Sequence, residues 1–241
     1  MIKVEACISG DYVEEAATNA SAAYAGGVDT IELCAGMDED GLTPSAVSIE
    51  AARGSFAKPG LMVMIRPRAG DFHYDSDELA LMARQIERAS QSGANGVVLG
   101  ALDGEGNLDM RSLAPLVSLS ASLKLATTFH RAFDATRDRE AALEQLVGLG
   151  VTRILTSGVT WGKSGNALDG AAALNDTIQA AAGRIEVVIA GSISPRLAPL
   201  VLREFSPWEG SIAFHSYSGI QDVGKTSAAA TRALVESVGR H

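Results

Sequence analysis

The chain has little that would mark a secreted, membrane-bound or nucleic-acid-binding protein. Cys7 and Cys34 are the only cysteines in 241 residues, too few for the disulfide framework of a small secreted domain. Two free thiols and a reduced, cytoplasmic setting are expected. No window of about 18 apolar residues occurs, so no membrane span is expected. The first residues offer no signal-peptide core either, because Glu5, Asp11, Glu14 and Glu15 interrupt it. Positive charge is scarce: 20 Lys and Arg stand against 29 Asp and Glu, a formal net charge of -9. That balance disfavours nucleic acid and anionic membrane as partners, yet leaves room for a local basic pocket that binds an anion.

Signature motifs are missing too. There is no CxxC, no HExxH, no G-x-S-x-G, no P-loop and no dinucleotide fingerprint. The first strand runs into Ile8-Ser9-Gly10-Asp11 rather than a glycine-rich phosphate loop. Only five lysines occur, none at a strand end where a Schiff base would form. No organic cofactor is expected. No Pro/Ser-rich linker divides the chain, and aromatic residues make up only 5%.

What is present is a repeating alternation. Hydrophobic residues are 46% of the chain, largely Ala, Leu and Val, the composition of helices packed over a buried parallel sheet. Strand-like runs fall at Ile2–Cys7, Thr30–Cys34, Leu61–Ile65, Gly96–Leu99, Leu125–Phe129, Arg153–Thr156, Glu186–Ala190 and Ser211–Phe214. Helical periodicity lies between them. The clearest instances are Tyr12–Ala25, ended by Gly26-Gly27, then Asp77–Gln91, and Asp138–Leu149 with Gly150 as its C-cap. Thr43-Pro44 reads as an N-cap and first helical residue. A helix is expected over Ala167–Ala182, a short one from Ser194-Pro195, and a last one over Thr226–Val238. Eight β/α units of about 30 residues each predict one α/β domain over residues 1–241, a (β/α)8 TIM barrel of parallel strands. An open doubly wound sheet is the alternative.

The strand ends carry the candidate chemistry, because the C-terminal mouth of such a barrel is where active sites lie. Glu5 and Cys7 end the first strand, Glu32 and Cys34 the second. Arg66, Arg68 and Asp71 follow the third. His130 and Arg131 follow the fifth, Ser157-Gly158 the sixth, Gly191 the seventh and His215 the eighth. Residues two apart share a face, so Glu5, Cys7, Glu32, Cys34, Arg66 and His130 can converge inside one barrel. Taken singly, a charge at a strand end is more often solvated or structurally paired, and a lone cysteine is more often a small buried hydrophobe. His73 and His241 are assigned no role.

Taken together, the pattern supports two kinds of chemistry. Two thiols at similar heights on adjacent strands suit a soft ion such as Cu(I), with Cys7 and Cys34 as its ligands. Alternatively, His130 is a general acid/base assisted by Glu32 or Glu5. Arg66, Arg68, Arg131, Asp71 and His215 then surround a small anionic or hydroxylated metabolite, and Ser157, Gly158 and Gly191 supply backbone donors. A lyase, isomerase or hydrolase would fit. The two glutamates are expected to pair with Arg66, Arg68 or Arg131.

The stretches Ile31-Glu32-Leu33-Cys34, Gly41-Leu42-Thr43-Pro44-Ser45, Met64-Ile65-Arg66-Pro67-Arg68-Ala69-Gly70-Asp71-Phe72-His73-Tyr74, Thr127-Thr128-Phe129-His130-Arg131-Ala132-Phe133-Asp134 and Ile154-Leu155-Thr156-Ser157-Gly158 resemble the CutC copper-homeostasis family, in family order. The resemblance implies a TIM barrel, a cytosolic homo-oligomer (dimer or tetramer) and Cu(I) binding, the proposed thiols falling on Cys7 and Cys34. Three places depart from the family pattern. Asp40-Gly41 stands for Gly-Gly, Ala213 stands where a Glu is usual, and Ser216-Tyr217 stands for Ser-Ser. The stretch from Val159 to Gly170 is also longer than the resemblance leads one to expect.

Overall fold

A computed structural model describes residues 1–239; Arg240 and His241 lie outside the described residues. Eight parallel strands, β1 (Ile2–Ser9), β2 (Thr30–Cys34), β3 (Leu61–Met64), β4 (Gly96–Leu99), β5 (Ala126–Phe129), β6 (Arg153–Thr156), β7 (Glu186–Ile189) and β8 (Ile212–Ser216), form a closed barrel in sequence order. β1 pairs with β8 from Ile2↔Ile212 to Ala6↔Ser216, so no edge is left open. Eight helices surround it: α1 (Val13–Gly26), α2 (Ala46–Ser55), α3 (Ser76–Gln91), α4 (Met110–Ser122), α5 (Arg139–Leu149), α6 (Ala171–Ala181), α7 (Ala198–Arg203) and α8 (Ala228–Ser237). The open-sheet alternative is excluded. No helix among the described residues is long and apolar enough to cross a membrane.

The two-residue period of the strands sorts their side chains into two cores. Val4, Ala6, Ile31, Leu33, Val63 and Val97 face outward and pack in the large core with the helices. Alternate residues face the barrel axis, where Cys7, Cys34, Met62, Met64 and Val98 form one cluster. Leu155, Val188, Ala190 and Ala213 form another. Ala213, the position where the family pattern has a glutamate, is therefore an interior residue packed among aliphatic side chains.

Local signals explain most element ends. Asp75 accepts from the Asp77 and Glu78 amides while Glu78 returns to the Asp75 N–H, a complete capping box that starts α3. Gly27 and Gly150 end α1 and α5 at φ 89° and 82°, a backbone region where a side chain is strained. Three expectations are corrected. Ser45, not Thr43, caps α2. Thr43 is used elsewhere: its hydroxyl accepts the Arg66 N–H at 2.8 Å and donates to the Arg66 carbonyl at 3.1 Å. α6 starts at Ala171, because Asn166 and Asp169 engage backbone amides in a preceding turn and hold residues 166–170 out of the helix. β8 runs on through His215 and Ser216, which keeps His215 in the strand, in register with Glu5.

Candidate functional site

At the C-terminal end of the barrel lies a cavity of about 220 Å³. One wall is formed by Cys7, Glu32, Cys34, Met64 and His215; the other by Arg66, Phe72, His130, Arg131 and Trp161. These residues come from strands β1, β2, β3 and β8, from the ends of β3 and β5, and from the 159–170 segment.

The first wall is sulfur-rich. Cys7 lies opposite Glu32 and Ser9 opposite Cys34, so the two cysteines are diagonal neighbours on parallel strands. Their Sγ atoms and a Glu32 carboxylate oxygen all lie within 4.8 Å of one another. The Cys34 thiol donates to Glu32 Oε1 at 3.4 Å. Gly41 closes over this group, and a Cβ there would sit 3.3 Å from Cys34 Sγ and 3.7 Å from Met64 Cε. The Cys7 thiol is lowered to about 6 by hydrogen bonding with Cys34 and by His215, against the effect of burial. Cys34 is pushed the other way by the same thiol partnership and by burial. Burial raises Glu32 to about 8, against the opposing charge of His215.

Beneath the thiols a line of charges threads the barrel. Glu5 Oε2 accepts from Arg153 Nη1 at 2.7 Å and from Thr30 Oγ1 at 2.8 Å, while Glu5 Oε1 lies 3.0 Å from His215 Nδ1. Arg153 Nε donates to Glu186 Oε1 at 2.8 Å, and Glu186 also pairs with Lys3. Burial alone would raise Glu5. The charge of Arg153 and the hydrogen bond and charge of His215 outweigh it and hold Glu5 well below the usual carboxylate range. His215 is held in its charged form by Glu32, Cys7 and Glu5 in spite of its burial. The expected partners of Glu5 and Glu32 are thus corrected. Glu5 pairs with Arg153 across the barrel, and Glu32 makes no arginine pair among the described residues. Arg66 donates instead to loop carbonyls, Arg68 pairs with Asp71 and Glu78, and Arg131 pairs with Asp134.

On the second wall Arg66, 2% exposed, donates to three backbone carbonyls: Glu39 at 2.7 Å, Gly41 at 3.1 Å and Gly70 at 3.0 Å. His130, 3% exposed, opens a 3₁₀ turn over Arg131–Ala135, and its Nδ1 accepts the Ala132 N–H at 3.1 Å. That bond puts the ring proton on Nε2. Burial, and then the charge of Arg66, lower His130 to about 3. His130 is therefore a neutral N–H donor at physiological pH. This is a different chemistry from the acid/base role expected of it, which needs a group that titrates near the working pH.

Of the other expected ligand residues Arg131 lines this cavity, whereas Arg68, Asp71, Ser157, Gly158 and Gly191 do not. Arg68 pairs with Glu78 and Asp71 on the outside of the β3 loop, and Asp71 is largely exposed. The Ser157 amide and hydroxyl both donate to Asp134, at 3.0 and 2.9 Å, and the Gly158 amide donates to Thr156 Oγ1. These donors are already engaged within the protein. Gly191 packs against Ala167, whose nitrogen a Cβ would approach to 2.8 Å. Arg131 reaches the cavity rim but donates to Asp134 and Ser157 and lies over the Trp161 ring.

The CutC family profile matches residues 2–205. The chain belongs to the CutC family. A CutC protein of Vibrio cholerae serotype O1 is 42% identical over 192 residues, 80% of this chain and 71% of the relative. One from Bacteroides thetaiotaomicron is 51% identical over 137 residues, 57% and 54% of the two chains. Among solved structures, a Streptococcus agalactiae protein described as a candidate copper-homeostasis CutC superposes with a TM-score of 0.75 at 25% identity, covering 89% of this chain and 99% of its own. A thiamine phosphate pyrophosphorylase from Pyrococcus furiosus, TM-score 0.61 at 15% identity, covering 98% and 95%, shares the barrel fold.

Three residues at or beneath this cavity escape a reading of strand ends. Arg153 opens β6 at the opposite end of the barrel, so only the parity of β6 signals that it points inward. Trp161 sits in the long segment after β6, where no periodicity places it. Met64 reads as ordinary core until the close approach of Gly41 sets it beside Cys34.

Proposed function

We propose that this protein binds Cu(I) between Cys7 and Cys34 at the barrel mouth, as cargo of a copper-handling role. The observation that carries this is two buried thiols with Sγ atoms within 4.8 Å of each other and the Met64 side chain packed against them. Thiolates and thioethers are the donors that select Cu(I) over harder divalent ions. His215, held charged by its carboxylate neighbours, balances charge in this wall rather than offering a lone pair. Binding releases the Cys34 proton, because the ligand is the thiolate. An anaerobic Cu(I) titration against a competing chelator tests the reading. Cys7→Ser and Cys34→Ser each weaken binding by at least about tenfold, and the double variant loses it. Stoichiometric binding retained in the double variant would falsify the proposal.

A second reading has an observation of its own. Cys7, His215 and Glu5 form a series of thiol, imidazolium and carboxylate, the arrangement of a cysteine nucleophile activated by a charged histidine that a carboxylate orients. On this reading the mouth is an enzyme active site for a small metabolite. Turnover of an activated ester by the metal-free protein, lost in Cys7→Ser and reduced in Glu5→Gln, supports it; equal turnover in all three proteins removes it.

A further inference from the structure

Neither reading uses the second wall, and that wall holds an unusual combination. Arg66 is buried, and among the described residues no carboxylate lies within ion-pair distance of it. Its three hydrogen bonds among the described residues go to neutral carbonyls; its Nε has no hydrogen-bond partner there, and the buried Tyr74 hydroxyl beside the guanidinium is likewise unpaired. His130 Nε2, which carries the proton, also has no partner. Buried N–H groups in folded proteins are nearly always paired, and an exception calls for an explanation. Here two exceptions occur on neighbouring side chains of one cavity.

We propose that Arg66 and His130 form a subsite for a small organic carboxylate with an apolar body within the mouth cavity. The charge argument selects a monoanion. Arg131, the other cation on this wall, is already paired with Asp134 at 2.9 Å, which leaves Arg66 as the one uncompensated charge there. The donor argument selects a carboxylate, because two N–H groups on separate side chains are met by two acceptor oxygens. The apolar argument selects an organic ligand over an inorganic ion. The Phe72 ring lies 4.9 Å from the His130 ring and 5.5 Å from the Arg66 guanidinium, and Trp161 packs 5.1 Å from Phe72. Met64 and Leu155 complete an apolar floor.

The alternative tenant is water, and the fixed His130 orientation argues for a designed acceptor site. The His130 ring is seated on Gly100, where a Cβ would come within 2.5 Å of Cε1 and 2.6 Å of Nδ1. The Nδ1 edge is thus locked against backbone, and the Nε2 donor cannot swing round to find a partner within the protein.

The test uses the whole, reduced, metal-free chain and three probes: butyrate, its neutral isostere butyramide, and inorganic phosphate. Calorimetry gives affinity, and nitrogen NMR follows His130 Nε2 and Arg66 Nε. Butyrate is expected to bind saturably with a shift at both nitrogens, and to bind at least about tenfold more tightly than butyramide. His130→Phe, which keeps the ring packing and removes the donor, is expected to weaken butyrate by about tenfold. The comparison with butyramide needs no variant, so it stands even if a change at Arg66 or His130 impairs folding. Equal binding of butyrate and butyramide, tighter binding of phosphate, wild-type affinity in folded His130→Phe, or no saturable butyrate binding overturns the proposal. Repeating the titration in the Cys7→Ser/Cys34→Ser variant separates the two proposals, since the subsite uses neither thiol and is expected to persist there.

Discussion

Replacing Arg153 by Met tests the charge line that holds the site together. Arg153 is the cation between Glu5 and Glu186, with hydrogen bonds of 2.7 and 2.8 Å. Met fills a similar volume but leaves Glu5, fully buried, with His215 as its only cationic partner among the described residues and the Thr30 hydroxyl as its other donor. Breaking a buried pair by removing one partner costs about 3–5 kcal/mol. For a domain of this size about 1 kcal/mol corresponds to 2–4 °C in Tm, so a fall of roughly 6–20 °C is expected in a thermal melt. Adding Glu5→Gln removes the stranded charge, and the double variant is expected to regain part of the loss. The pH dependence carries the same logic. Folded Glu5 titrates below its unfolded value of about 4.3, so its contribution is present above that pH and is lost as pH falls toward the folded value. Arg153→Met removes the main lowering influence, and the acid limb of the stability curve becomes shallower. A Tm within about 2 °C of wild type, or a double variant as unstable as the sum of the two single changes, refutes the reasoning.

Two further outcomes follow from the thiol wall. Alkylation of Cys7 by iodoacetamide in the metal-free protein is expected to show a pH midpoint near 6, and Cys34→Ala moves that midpoint upward by removing its largest cause; a wild-type midpoint at the ordinary thiol value of about 8.5 contradicts this. Folded Glu32 titrates at about 8, above its unfolded value, so its contribution to stability is full below about 4.3 and is lost as pH rises through 8. Glu32→Gln, which mimics the neutral form, flattens the loss of stability between pH 5 and 8 in denaturant titrations; an unchanged slope refutes the burial argument.

Much of the site is legible before any coordinates, because parity and strand order are local properties of the chain. Cys7, Glu32, Cys34, Arg66, His130 and His215 do meet in one cavity. Arg68, Asp71, Ser157 and Gly158 carry the same residue chemistry, yet their nearest partners are local ones that engage them first.

By itself the sequence determined the alternation of eight strands and eight helices, the capping signals that start and stop them, and which strand ends carry thiols, carboxylates and cations. These depend on period, propensity and neighbours within a few residues. The tertiary structure alone decided that Arg153, 148 residues from Glu5, would neutralise it. It also decided that Arg66 would be left with no anion, and that His130 would be fixed as a neutral donor by the Ala132 amide and the bare backbone at Gly100. Pairing across a closed barrel is set by height and direction in space. Charge compensation acts over a few ångströms, whatever the separation along the chain.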